Sequence, residues 1–433
     1  MKGKTYSCAA YGAALAFMSV QDAAVIVHGS RSCQNMMFTF KNNREWEKRR
    51  FAPDDRPFES LRMHCTEMTE MDAIFGGGQL LDSKIDYLYE AGWRNIFACT
   101  TCVPGLIGDA GREIARRKQA EHPDSRIGCV DTSGNMTGDW EEGFNAGSKL
   151  LCGYINPDVD QDDSINIVAE RYFYYFDKRI DNNILDLLKD FDVRVNCRYL
   201  YRSEMKNIVN LAKARSNLVA IDDYISDTAL KDLSTSAKRY QEKLEPPLGF
   251  NAYRRWIRKM SGLYRPKDSL SYTIEKIDRI EEECISSCKH RCRGKRVLIY
   301  HEETDRIDWE VDALKDMGME CVVVAKNPNR GAVLRRNPNT TVLSTSDVES
   351  FHEMLRDCSP DVIVSDTAIG ASKITQHYSD EGRTVSESND ISFNIPIVMQ
   401  FYPGLGLDGV VNFVDRVKLA IQGKGVAGWR YDL

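Results

Sequence analysis

The stretch Asn95–Lys118, NIFACTTCVPGLIGDAGREIARRK, runs from a short apolar segment through a turn into a helical sequence. NIFACTT is typical of a buried strand, while Pro104, Gly105 and Gly108 mark the turn that follows it. AGREIARRK then favours a helix. A strand that leads through a tight turn into a helix is the repeating unit of a parallel α/β sheet, so this stretch predicts that fold class.

The same alternation recurs along all 433 residues. Further strands are predicted at AAVIVHG and RIGCVDT, at SINIVAE, VRVNCRYLY and NLVAIDD, and at KRVLIY, ECVVVAK, PDVIVSD and NIPIVMQ. We therefore predict an α/β protein with three domains of Rossmann-like parallel sheets flanked by helices. The predicted domains are residues 1–158, residues 159–293 with a helical excursion, and residues 294–433.

Composition narrows the function classes. Apolar residues make up 42% of the chain and charged residues 28%, and no uninterrupted apolar run is long enough to cross a bilayer. The formal net charge of -6 argues against a dedicated nucleic-acid binder, which needs a clustered basic surface. The start MKGKTYSCAAYGA lacks the basic-then-apolar pattern of a signal peptide. We expect a cytoplasmic protein that binds neither nucleic acid nor membrane.

Thirteen cysteines are many for such a chain. Disulfides are rare in reducing compartments, so metal or redox chemistry gains weight. Cys33 and Cys102 each follow a predicted strand, where open α/β sheets bind ligands, and Cys8 precedes a helical segment. Backbone N–H groups at such places lower a thiol pKa and suit the thiolate to bind iron. Spacing alone leaves cluster ligands and buried structural thiols both open.

Four stretches, CAAYGAALAF, HGSRSC, MTEMDAIFGGG and TTCVPGLIGD, carry a resemblance to a known family. They are similar to the component 1 family of nitrogenase and its relatives, in an α-like or scaffold-like form. The resemblance implies that Cys8, Cys33 and Cys102 hold an iron–sulfur cluster at a subunit interface, either [4Fe–4S] or a P-cluster-like [8Fe–7S]. It makes Cys65 a candidate additional ligand.

The FGGG motif allows two interpretations of Phe75. Successive glycines permit a tight turn that ends a helix, so Phe75 is either a packing residue beside that turn or a surface residue. The resemblance implies that Phe75 lies where an ATP-dependent iron–sulfur reductase docks. It also implies a second partner, which is a homologous subunit or a second copy of this chain.

Two departures from the family pattern bear on the reaction. Asp222 and Asp223 stand where the family has a cofactor cysteine, and no histidine precedes GLGLDG near Gln400. Dinitrogen reduction is therefore disfavoured, and a second metal centre stays open. We expect a catalytic oxidoreductase subunit that takes low-potential electrons from the partner reductase, through the interface cluster, to another substrate. The alternatives are a non-catalytic scaffold or carrier for metal-cluster assembly, and a relative without any cluster.

Other cysteines are predicted to pack. Cys99 lies within the strand NIFACTT and, because side chains alternate along a strand, should point to the face opposite its neighbours. Cys284, Cys288 and Cys292 repeat every four residues, which places them along one face of a helix. Three sulfurs in such a row cannot converge on one cluster, so a packing stripe is the favoured interpretation. No catalytic acid or base is assigned from the sequence.

Overall fold

The computed structural model describes residues 8–37, 62–133, 136–170, 185–220, 224–301, 307–325, 334, 336–344, 354, 357–365, 397–399 and 406–422. These residues form three sheets of parallel strands flanked by helices, which confirms the predicted α/β class. The chain divides into two compact units. The first comprises residues 1–182, 193–221 and 225–244, and the second comprises residues 183–192, 222–224 and 245–433.

The first sheet of the first unit has the strand order β2-β1-β3-β4. Its helices and strands are α1 Ala9–Met18, β1 Ala24–His28, β2 Met63–Cys65, α2 Glu70–Phe75, α3 Gly78–Glu90, β3 Asn95–Thr100, α4 Cys102–Ile107, α5 Gly111–Glu121, β4 Arg126–Val130 and α6 Trp140–Cys152. Strands β1 and β3 are buried along their whole length, as expected for central parallel strands covered on both faces. Their register pairs His28 with Thr100, so both strands end at the same edge.

The second sheet, also in the first unit, has the strand order β6-β5-β7-β8. Its elements are β5 Asp162–Val168, β6 Arg194–Arg198, α7 Met205–Val209, β7 Ala214–Val219, α8 Tyr224–Ala237 and β8 Glu242–Leu244. The side-chain amide of Asn166 donates to the side-chain carbonyl oxygen of Asn217 at 2.8 Å between the two central strands. Both amides are buried, so this bond satisfies polar groups inside the sheet layer.

The second unit contains the third sheet, in the order β11-β10-β9-β12-β13. Its elements are α9 Phe250–Leu263, α10 Ser269–Cys292, β9 Arg296–His301, α11 Asp308–Asp316, β10 Glu320–Ala325, β11 Val342–Ser344, β12 Val362–Ser365, β13 Ile397–Met399 and α12 Gly406–Ile421. The rings of Trp309 and Phe413 meet edge to face with centroids 5.1 Å apart, which fixes α12 against α11.

Each sheet falls inside one of the three predicted segments, residues 1–158, 159–293 and 294–433. Helices α9 and α10, however, group with the third sheet in the second compact unit rather than with the second sheet. The three domain boundaries therefore stay a prediction. Within the described ranges, no helix combines the length and the apolar character that a membrane crossing requires.

Two glycines allow helices α1 and α6 to pack backbone to backbone. A Cβ atom on Gly12 would lie 1.8 Å from the carbonyl oxygen of Trp140, and one on Gly143 would lie 1.7 Å from that of Ala9. Neither carbonyl oxygen can move without disturbing its helix. This contact sets the position of α1, whose N-cap residue is Cys8.

We predict that Gly143→Ala lowers the free energy of unfolding by about 1–3 kcal/mol, because the added methyl group forces α1 and α6 apart. Gly262→Ala is the matched control, since Gly262 lies in helix α9 with open space around its Cα. The control should gain about 1 kcal/mol from helix propensity. Urea unfolding followed by circular dichroism measures both variants. Equal midpoints for Gly143→Ala and wild type would contradict the packing account.

Candidate metal centre

Loops that follow three strands of the first sheet meet at its carboxyl edge. Gly29 follows β1, Thr66 follows β2 and Thr101 follows β3. The amide of Thr101 donates to the carbonyl oxygen of His28 at 2.9 Å, and a Cβ atom on Gly29 would lie 1.9 Å from the Thr101 hydroxyl. The loops after β1 and β3 are therefore in close contact, which is what the site predicted from the sequence requires.

The three predicted ligands share two properties. Cys8, Cys33 and Cys102 are free, half-buried thiols, and each stands at the beginning of a helical segment. Cys8 is the N-cap residue of α1, and its side chain does not cap that helix. Cys102 is the first residue of α4. Their thiols are thus accessible enough to bind a group and are not committed to the core.

Cys33 lies in the short helical segment that comes after β1 and its loop. Its amide donates to the carbonyl oxygen of Ser30 at 3.1 Å, and its sulfur lies 3.6 Å from the Ser30 hydroxyl. A hydroxyl at this distance can hydrogen-bond a thiolate sulfur, which is the kind of contact that tunes an iron–sulfur site.

Cys99 lies in the central strand β3 of this sheet. Cys99 is fully buried in β3, and burial raises its pKa well above the ordinary value. Negative charge on Cys129, Cys8, Cys65 or Cys33 raises the pKa of Cys99 further. Cys102 follows Cys99 by three residues, at the carboxyl end of the strand. Cys99 itself packs in the sheet, as predicted.

Cys65 differs from the other candidate ligands because it is buried and hydrogen-bonded within the protein. Its thiol donates to the carbonyl oxygen of Gly29 at 3.3 Å and accepts from the amide of Glu67 at 3.3 Å. Burial raises the pKa of Cys65, and the Glu67 amide opposes this shift. Its role as an additional ligand stays a prediction.

Phe75 is a surface residue. Phe75 is the last residue of helix α2, and its side chain is 77% exposed. Phe75 is therefore not a packing residue within this chain. Met71, Ile74 and Leu106 are also large, apolar and exposed, and helices α2 and α4 contact each other. We call Met71, Ile74, Phe75 and Leu106 the apolar surface. Part of it lies on helix α4, which begins with Cys102.

A buried hydrogen-bonded chain connects the motifs and was not predicted from the sequence. His28 contacts the hydroxyl of Thr66 through Nδ1 at 3.0 Å and a carboxylate oxygen of Asp109 through Nε2 at 3.2 Å. The amide of Gly77 donates to the same carboxylate at 3.0 and 3.2 Å. The sequence signals are a histidine that ends strand β1 and an aspartate that comes shortly after helix α4.

The cysteines of helix α10 pack as predicted. Cys288 and Cys292 are fully buried, whereas Cys284 is half-buried. The thiol of Cys288 donates to the carbonyl oxygen of Cys284 at 3.3 Å, which satisfies it within the helix. The departures noted at Asp222, Asp223 and Gln400 lie outside the described residues.

Three parallel sheets with half-buried thiols at one sheet edge define the class of protein as a multi-sheet α/β protein with a candidate metal centre. Residues 8–422 match the family model described as nitrogenase component 1 type oxidoreductase. This chain belongs to that family, as the sequence motifs predicted.

Curated relatives match along most of the chain. A protein of Rippkaea orientalis named nitrogenase iron-molybdenum cofactor biosynthesis protein NifE is 26% identical over 332 residues, which cover 73% of this chain and 66% of the relative. The protein of the same name from Sinorhizobium fredii is 25% identical over 448 residues, covering 96% of this chain and 81% of the relative. The nitrogenase molybdenum-iron protein alpha chain of Methanosarcina barkeri is 33% identical over 107 residues, only 24% of this chain and 19% of the relative.

These relatives correct one prediction from the sequence. The expectation of a catalytic reductase subunit is wrong, because the proteins that match over most of the chain are named for cofactor biosynthesis. The family motifs around Cys8, Cys33 and Cys102 do not distinguish the two roles, because both predicted forms use the same cluster ligands.

Solved structures support the fold. The structure described as nitrogenase Cp1 at pH 6.5 aligns with a TM-score of 0.69 and 16% identity, covering 98% of this chain and 95% of the other. The same protein at pH 5 gives a TM-score of 0.66 at 17% identity, covering 98% of this chain and 90% of the other. The likeness confirms the predicted architecture of several parallel sheets flanked by helices.

We predict that His28 makes stability depend on pH. Burial lowers the pKa of His28 below its ordinary value of 6.5, and the charge of Asp109 opposes that shift. Below pH 6.5 the histidine of the unfolded chain binds a proton, whereas His28 of the folded protein stays neutral until the pH reaches its lowered pKa. The free energy of unfolding therefore falls as the pH drops from 6.5 to that lowered pKa. Thermal unfolding of wild type and His28→Gln at several pH values tests this. Identical pH slopes would contradict the assignment.

Proposed function

We propose that this protein is a non-catalytic scaffold or carrier on which a metal cluster is assembled or held before transfer. The observation that carries the proposal is the match to cofactor biosynthesis proteins along most of the chain. The half-buried thiols at the carboxyl edge of the first sheet give such a protein a place to bind iron.

Cys8, Cys33 and Cys102 are the proposed ligands of a resident iron–sulfur cluster, either [4Fe–4S] or [8Fe–7S], with Cys65 as a candidate fourth. The donor set fits, because thiolates are the common protein ligands of such clusters. When bound, the cluster supplies a site that stores and passes single electrons. The protein's own part is to hold the thiols near one another and to set their hydrogen bonding, as Ser30 does beside Cys33.

The cargo would be a second metal cluster, which the scaffold holds as its substrate rather than as a resident cofactor. Asp222 and Asp223 occupy the sequence position where the resemblance implies a cofactor cysteine. A carboxylate prefers harder metal ions than a thiolate does, so it would hold an iron–sulfur cargo less tightly. Weaker binding suits a protein that must release its cargo.

The partners proposed are a homologous subunit or a second copy of this chain, and an ATP-dependent iron–sulfur reductase that contacts Phe75. Cys8, Cys33 and Cys102 alone are one thiolate short of the four that commonly hold an iron–sulfur cluster, which favours a site shared with a second subunit. The exposed apolar surface around Phe75 supports a protein contact there. The expected compartment is the cytoplasm.

We predict that Cys102→Ala loses the optical and EPR signals of the iron–sulfur cluster. Cys288→Ala is the control, because Cys288 is buried in helix α10 of the other compact unit. It should keep nearly all of the iron and its spectrum. Both variants are purified without oxygen and measured with wild type. The reverse pattern would refute the ligand assignment.

We predict that Phe75→Ala fails to co-purify with an ATP-hydrolysing iron–sulfur protein that wild type retains in its native host. The matched control is Tyr272→Ala, since Tyr272 is a comparably exposed aromatic residue on helix α10. The control should retain the partner. ATPase activity and iron content of the co-purified fraction are the measurements. Equal retention by both variants would exclude Phe75 from the docking surface.

A further inference from the structure

One carboxylate joins two separate parts of the site. Asp109 is nearly buried, and its oxygens accept from the Gly77 amide at 3.0 and 3.2 Å. One of these oxygens also lies 3.2 Å from Nε2 of His28. Asp109 thus fixes the turn after Phe75 to the end of strand β1.

Asp109 is itself held rigidly to helix α4. Its amide donates to the carbonyl oxygen of Pro104 at 2.9 Å, and its own carbonyl oxygen accepts from the Gly111 amide at 2.9 Å. Gly108 before it adopts a φ of 75°, a left-handed conformation that ends the helix. These backbone hydrogen bonds anchor Asp109 to α4, whose first residue is Cys102.

The Gly76–Gly77 turn that follows Phe75 has a backbone conformation that favours glycine. Gly76 adopts a φ of 98°, and a Cβ atom on Gly77 would lie 2.5 Å from Cε of Met68. Phe75 immediately precedes this turn. The Asp109 carboxylate therefore joins the turn after Phe75 to the end of α4, in addition to the direct contact between helices α2 and α4.

We propose that Asp109 is a positioning residue that couples the turn after Phe75 to the Cys102 thiol. A protein that binds at Phe75 displaces or stiffens the Gly76–Gly77 turn, and the Asp109 carboxylate transmits this to α4. Conversely, iron bound by Cys102 restrains the turn. The inference rests on the proposed function, in that Cys102 binds iron and Phe75 contacts a partner.

Hydrogen–deuterium exchange of the full chain tests the connection, with and without an iron–sulfur cluster reconstituted from ferrous iron and sulfide. The variants are Asp109→Ala and Asp109→Asn. The control is Asp131→Asn, because Asp131 follows β4 at the same sheet edge but forms an exposed ion pair with Arg112. Exchange in the second sheet reports whether each variant is folded.

In wild type we expect loading with iron and sulfide to slow exchange of the Gly76–Gly77 amides by about tenfold. Asp109→Ala should exchange about tenfold faster at this turn before loading and show no slowing after it. Asp109→Asn keeps an acceptor oxygen and should restore part of the response, whereas Asp131→Asn should match wild type.

The outcomes distinguish a failure of the proposed function from a failure of the coupling through Asp109. Wild type that takes up no iron would overturn the proposed function and, with it, the Cys102 end of the coupling. Loading with iron could instead slow amide exchange at Gly76–Gly77 in Asp109→Ala as much as in wild type. That result would overturn the coupling alone. A uniform rise of exchange across the first unit in both Asp109 variants would assign Asp109 a purely structural role and would also overturn it.

Discussion

The parallel pairing of β1 with β2 and β3 is the constraint on which the site depends. It brings the carboxyl ends of three strands to one edge, so that residues far apart in sequence become neighbours. Cys33, Cys65 and Cys102 follow or end these strands. Close packing of α1 against α6 then sets the position of Cys8. The candidate metal centre is a consequence of this sheet order.

Much of the fold follows from the sequence because long buried strands have a strong pattern. β1, β3, β5, β9 and β12 were all predicted, since each is an apolar run bounded by turn residues. The strands β2, β8 and β11 were not predicted, because each is short and none lies in a longer apolar run. The grouping of α9 and α10 with the third sheet depends on tertiary packing, which local sequence does not encode.

The site was predictable in its residue types but not in its connections. A glycine-rich turn or a cysteine after a strand is visible in the sequence, whereas the contact of His28 with Asp109 joins residues 81 positions apart. The sequence motifs also do not distinguish a reductase from a scaffold. Both predicted roles would use Cys8, Cys33 and Cys102 as cluster ligands, so these motifs do not separate them.

The most direct test of the central claim is iron and acid-labile sulfide analysis of the wild-type protein, purified without oxygen from its native host together with its partners. The account predicts iron and sulfide in comparable amounts, bound to the complex and lost when Cys8, Cys33 and Cys102 are replaced together by alanine. A fully folded wild-type complex without iron or sulfide would contradict it, and the thiols would then be packing residues only.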